Sequence, residues 1–83
     1  MLYLISYDLI APGKDYDGLY EALEGIGARR VLRSVWVVKW SNTSAGAVRD
    51  WVKKHTDSDD RVVVGQIDAD WATYNAINKI SEM

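Results

Sequence analysis

The sequence contains no cysteine and no phenylalanine, one proline and one histidine. Without cysteine there is no disulfide framework, no thiolate nucleophile and no cysteine-ligated zinc. A single histidine excludes zinc sites that need two or more imidazoles and argues against haem. No low-complexity, repeated or Pro/Gly/Ser-rich stretch marks a linker. No hydrophobic run approaches a membrane span, and Met1–Asp8 meets a charge without any basic region, so it does not read as a signal peptide. A soluble, cytoplasmic chain with no membrane partner is expected.

What is present fits one small domain. The 83 residues are 48% apolar and 27% charged, with four Trp and five Tyr, a globular composition too short for separate cofactor and substrate domains. We expect a single domain over 1–83, with its core in 2–67 and a tail in 68–83. The net charge is −2, but it is unevenly spread. Between Glu24 and Asp50 there is no acid, while Arg29, Arg30, Arg33, Lys39 and Arg49 all fall there. Such a basic middle can hold phosphate despite an acidic mean, or simply solvate strand surfaces.

Residues 2–8 are rich in branched and aromatic side chains and read as a strand. Ala11-Pro12-Gly13-Lys14 reads as a turn and Asp15 as the N-cap of a helix to about 26, its stripe being Tyr16, Leu19, Tyr20, Leu23 and Ile26. Gly27 is the stop signal. Residues 28–33 and 35–40 are two strand candidates with Ser34 alone between them, which requires either a shifted turn or one bent strand with a bulge. Ser41–Ser44 caps a helix over about 44–55, with Val48, Trp51, Val52 and His55 on one face. Arg61–Ile67 is the fourth strand. Asp68 or Asp70 caps a last helix whose stripe is Trp71, Tyr74, Ile77 and Ile80.

This order predicts an α+β, ferredoxin-like βαββαβ fold: a four-stranded antiparallel sheet, two helices on one face and a C-terminal helix. Both sheet faces are apolar in sequence, yet the two main helices cover one. The terminal helix in cis or a second copy in trans has to cover the other, and a homodimer through the sheet is the favoured expectation.

Asp8 is the sharpest chemical candidate, a carboxylate where a hydrophobic strand leaves the sheet. One carboxylate per chain holds magnesium weakly. Two Asp8 side chains beside a two-fold axis make a Mg²⁺ or Mn²⁺ site suited to phosphodiester hydrolysis; alternatively Asp8 hydrogen-bonds the following turn. Asp57, Asp59 and Asp60 lack the glycine and distal glutamate of a calcium loop and read as a solvated connection. His55 sits near a helix C-terminus, where a cation suits the dipole. Trp36, Trp40 and Trp51 fit core or interface positions better than base-stacking platforms.

The stretches Ser6-Tyr7-Asp8-Leu9, Pro12-Gly13-Lys14-Asp15-Tyr16, Leu19–Leu23, Ser34–Val38 and Asp57–Arg61 are similar to small SinR-family proteins. That family in turn resembles the CRISPR-associated Cas-two family and the virulence-associated D toxins, dimeric ferredoxin-like proteins of which some are described as metal-dependent nucleases. The Cas-two pattern of Tyr-Asp ending the first strand matches Tyr7-Asp8. Its Arg-x-x-x-Ser-Val-Phe pattern matches Arg30 through Trp36, with Trp in place of Phe. The resemblance implies Asp8 as the catalytic, metal-binding carboxylate at a dimer axis, with Arg30 and Arg33 near it. Lys14, Arg30 and Arg33 are then the candidate nucleic-acid-binding residues. Two functions follow: a dimer that binds DNA or RNA and hydrolyses it with Mg²⁺ or Mn²⁺, or a non-catalytic module that docks onto a protein partner, such as a defence or toxin–antitoxin complex.

Overall fold

The computed structural model describes residues 1–10 and 16–80. Along the chain run β1 (Leu2–Asp8), α1 (Asp17–Gly25), β2 (Arg29–Leu32), β3 (Val35–Lys39), α2 (Ala45–Lys53) and β4 (Arg61–Gln66). The sheet order is β2-β3-β1-β4 with every neighbouring pair antiparallel. This is the expected ferredoxin-like arrangement.

Strand alternation sorts β1 between two faces. Tyr3, Ile5 and Tyr7 point to one side, where with Trp36 and Val38 they bury against Leu19 and Leu23 of α1 and Val48 and Val52 of α2. Each such side chain removed from water contributes roughly 1.5–3 kcal/mol before the entropy of ordering is set against it. The Trp36 indole N–H donates to the Tyr7 hydroxyl at 2.9 Å, which satisfies two polar atoms inside the core.

Both helices end as their residues dictate. At α1, Gly27 takes φ 82°, its N–H bonds Glu24 O at 3.0 Å and the Ala28 N–H bonds Leu23 O at 3.0 Å. This is the paired closure that a left-handed glycine allows. At α2, the Ser44 hydroxyl accepts from the Ala47 N–H at 3.2 Å, the N-cap role expected of it. The Pro12-Gly13 turn and the Asp15 cap lie outside the described residues.

The ambiguous middle resolves as a hairpin. Leu32 pairs with Val35 across a two-residue turn, Arg33-Ser34, and the register slips by one at Val31. The turn is thus shifted and a bulge is present as well. Among the described non-glycine residues, Asn42 and Asn75 alone have positive φ, so Arg33 and Ser34 do not form the left-handed turn that suits a tight hairpin. The bulge absorbs the resulting mismatch in twist.

The C-terminal segment corrects the sequence reading. Residues 68–80 contain no α-helix. They form an irregular strap across the second sheet face. Asp68 does not cap a helix: its carboxylate accepts from the Leu2 N–H and from the Gln66 side-chain amide at 2.6 Å. Farther on, the Ile77 N–H donates to Val31 O at 2.9 Å and the Asn78 amide to Arg30 O at 2.8 Å. Those donors are committed to β2, and Asn75 at φ 53° breaks helical continuity. The proposed stripe faces outward, Tyr74 being 87% exposed, while Ile80 is buried with Val31 and Val37.

Candidate nucleic-acid interface

Asp8 ends β1 on the strap side of the sheet, opposite the helices, as the alternation from Leu2, Leu4 and Ser6 requires. Its Cα partner on β4 is Arg61, and the Arg61 guanidinium approaches its carboxylate at 3.9 Å, with the Asp8 side chain 67% exposed. A pair so open to water contributes about 0–1 kcal/mol. The carboxylate therefore remains available to other partners.

On the other flank, the β1–β3 register runs from Leu2↔Lys39 to Ser6↔Val35, and the Tyr7 N–H bonds Ser34 O at 3.1 Å. The Arg33-Ser34 turn thus lies beside the last residues of β1. Asp8, Arg33 and Arg61 gather at one end of the sheet. Arg61 was not among the candidates from sequence; the signal for it is the antiparallel pairing of β1 with β4, which sets the first residue after the acidic loop opposite Asp8.

Asp60 positions this end. One carboxylate oxygen accepts from the Ile10 N–H at 2.8 Å and the Tyr16 hydroxyl at 2.9 Å, and the other from the Asp57 N–H at 2.8 Å. The acidic loop is therefore more than a solvated connection, because Asp60 ties the chain leaving β1 to the start of β4.

Arg30 is elsewhere. It pairs with Trp36, which pairs with Ile5, so its side chain belongs to the helix face, two strands from β1. There its guanidinium lies 4.4 Å from the Tyr20 ring centroid and 4.8 Å from that of Trp36. The expectation that Arg30 sits near Asp8 is corrected. Lys14 lies outside the described residues. Trp36 is core; Trp40 and Trp51 meet edge to face at 5.8 Å, and the His55 ring meets Trp51 at a 56° tilt with centroids 4.7 Å apart.

One cross-strand row decides how the site meets its surroundings. Leu32 opposes Val35, Val35 opposes Ser6, and Ser6 opposes Val63. The strap-side core takes in Leu2, Leu4 and Val35 but leaves the two ends of this row open, with Leu32 51% and Val63 67% exposed. An apolar row therefore borders the Asp8 end. The family model described as CRISPR associated protein Cas2 matches residues 1–74.

The chain belongs to the Cas2 family.

The match spans the whole sheet, both helices and the first part of the strap. The likeness to SinR-family proteins has no counterpart in it. Within this Cas2 chain, no group of three or more His, Asp or Glu side chains capable of holding a metal occurs among the described residues. Asp8 therefore offers a single carboxylate, short of a complete donor set for a metal ion among the described residues. No helix among the described residues is long and apolar enough to cross a membrane.

Proposed function

We propose that this Cas2 chain works in the cytoplasm as a homodimer on nucleic acid, and that paired Asp8 carboxylates hold Mg²⁺ or Mn²⁺ for phosphodiester hydrolysis. The observation that carries the reading is the gathering of an exposed Asp8 with Arg61 and the Arg33 turn beside the Leu32–Val35–Ser6–Val63 row, open at its two ends. Apolar side chains in such a row favour a second copy, which brings a second Asp8 to the same place. The ion, when bound, supplies charge at a phosphoryl oxygen and an acidified water. Arg33 and Arg61 grip backbone phosphates on either side, and because Arg61 also faces Asp8, it holds the carboxylate toward the substrate rather than away from it.

The test is cleavage of fluorogenic RNA and DNA with and without Mg²⁺, by the wild type and Asp8→Ala. The expected result is metal-dependent cleavage that Asp8→Ala abolishes. Equal activity in the two proteins refutes the role of Asp8. Binding without cleavage leaves a nucleic-acid-binding dimer, and neither binding nor cleavage leaves the protein-docking module, which a single carboxylate per chain would suit. For the phosphate contacts, Arg33→Ala should lower the slope of log affinity against log salt by about one unit without loss of fold. An unchanged slope removes Arg33 from the interface.

A further inference from the structure

Arg30 is half-buried on the edge strand and has no anionic partner. The two aromatic rings hold its planar face but offer no acceptor in the guanidinium plane. Its Nε is buried without any hydrogen-bond partner, and the ion pairs among the described residues join Arg49 to Asp50 and Arg61 to Asp8, leaving Arg30 out. Buried donors are almost always satisfied, and a guanidinium held this way is one acceptor short.

Arg30 also borders open space. A cavity of about 400 Å³ opens at this position, lined by Glu24, Gly27, Arg29, Arg30, Trp36 and Asn78. Its size falls within the roughly 300–1,000 Å³ range of small-molecule pockets. Arg29 alternates to the other face of β2 with its partner Val37, so the charges at the cavity are Arg30 and Glu24, and the unmatched guanidinium donor is what calls for an acceptor. The elements around it are fixed independently: the Gly27 closure ends α1, and Asn78 spends its amide on the Arg30 carbonyl.

We propose that this cavity is a phosphate-binding site, in which the Arg30 fork takes two phosphoryl oxygens side by side. Phosphate fits better than a lone halide because the donors form a planar fork, and better than a small carboxylate because the volume leaves space for a group attached to the phosphate. The phosphate belongs to a free mononucleotide or to the phosphorylated end of a strand. The site lies on the helix side of the sheet, so it stands apart from the reading of Asp8 on the other face.

The arginine Nε–Hε resonance of Arg30 in nitrogen-15 NMR reports on the orphaned atom itself. Titrations would use adenosine 5′-monophosphate, a 5′-phosphorylated oligonucleotide, its 5′-hydroxyl counterpart and acetate. A saturable shift with the phosphorylated ligands, absent with acetate and the hydroxyl strand, supports the site, and the tighter of the two phosphorylated ligands identifies the source. Arg30→Lys keeps the charge but loses the fork, and should weaken binding by about tenfold or more. Glu24→Gln alters one exposed residue at the end of α1 and should tighten binding severalfold. An Arg30 resonance that ignores every phosphate, or moves equally with acetate, overturns the proposal. So does Glu24→Gln binding no more tightly than wild type, whatever Arg30→Lys does to the fold. Cleavage activity enters none of these measurements.

Discussion

The two faces of one sheet are closed by different means. On the helix side, Tyr3, Ile5, Tyr7, Trp36 and Val38 meet two helices whose buried residues recur at helical spacing. On the strap side, Val31, Val37 and Ile80 form a smaller core beneath an irregular segment held by a hydrogen bond that Asp68 accepts from Leu2 and by those that Ile77 and Asn78 donate to β2. The first face rests on area taken from water and closes as a unit. The second rests on a few anchors spaced along an exposed tether. Rigidity on the one side and easy opening on the other should follow, since segments with few buried contacts open at lower free energy than the core.

The largest effect should come from the helix face. Trp36→Ala removes a buried indole, its hydrogen bond to Tyr7 and its contacts with Tyr20 and Arg30, and should cost about 3–5 kcal/mol in urea denaturation. A loss below ~1 kcal/mol would show that this face does not carry the fold. Ile80→Ala strips the one buried apolar anchor among the described strap residues and should cost about 2 kcal/mol, near the low end for such truncations. Its signature is where the loss appears. Amide exchange should quicken at Ile77 and Asn78 while Leu19, Leu23 and Val48 stay protected. Uniform loss of protection would make the two faces one cooperative unit and end the contrast.

Acid should loosen the strap. The Leu2 N–H, and then the Gln66 amide, hold the Asp68 carboxyl below its ordinary value. A carboxylate with a depressed folded-state pKa adds stability that is complete above its unfolded pKa and is lost as pH falls through the folded one. The anchor should therefore hold above about pH 4 and release below the ordinary value of about 3.9. The Leu2 amide resonance should follow that titration, and Asp68→Asn should abolish it. A Leu2 resonance that titrates unchanged in Asp68→Asn would assign the anchor elsewhere. The smallest effect belongs to the proposed site: Asp8→Ala should alter stability by no more than about 0.5 kcal/mol, because its ion pair is open to solvent. A larger loss would make Asp8 a structural residue and confound any loss of activity.

Sequence periodicity carried the helix face well. The Leu19–Leu23 and Val48–Val52 spacings, the Ser44 cap and the Gly27 stop are local signals, and local signals survive folding unchanged. The strap misled for a physical reason. Trp71, Tyr74, Ile77 and Ile80 recur at three-residue spacing, which suits a helix, but the Ile77 N–H and the Asn78 side-chain amide found partners on β2 that no local pattern records. The strap also answers part of the question of what covers the second apolar face: the strap-side core takes in Leu2, Leu4 and Val35 in cis and leaves Leu32 and Val63 exposed. Asp8 was legible because a charge ending a hydrophobic strand is a local contrast. Arg61 was not, since its place beside Asp8 depends on which strands are neighbours. The separation of Arg30 from Arg33 was hidden by a turn without glycine or asparagine.

The slip at Val31 acts on β2 as a frameshift acts on a coding strand. Before it, the strand is read in one phase and delivers Arg30 to the helices; after it, Val31 and Leu32, adjacent in sequence, both serve the strap side, and Arg33 is released to the tip. One contiguous run, Arg30 to Trp36, is thereby shared between opposite sides of the molecule. Deleting Val31 would remove the slip and leave Arg30 opposite Trp36 and Leu32 opposite Val35 in simple alternation, at the loss of one buried side chain beneath the strap.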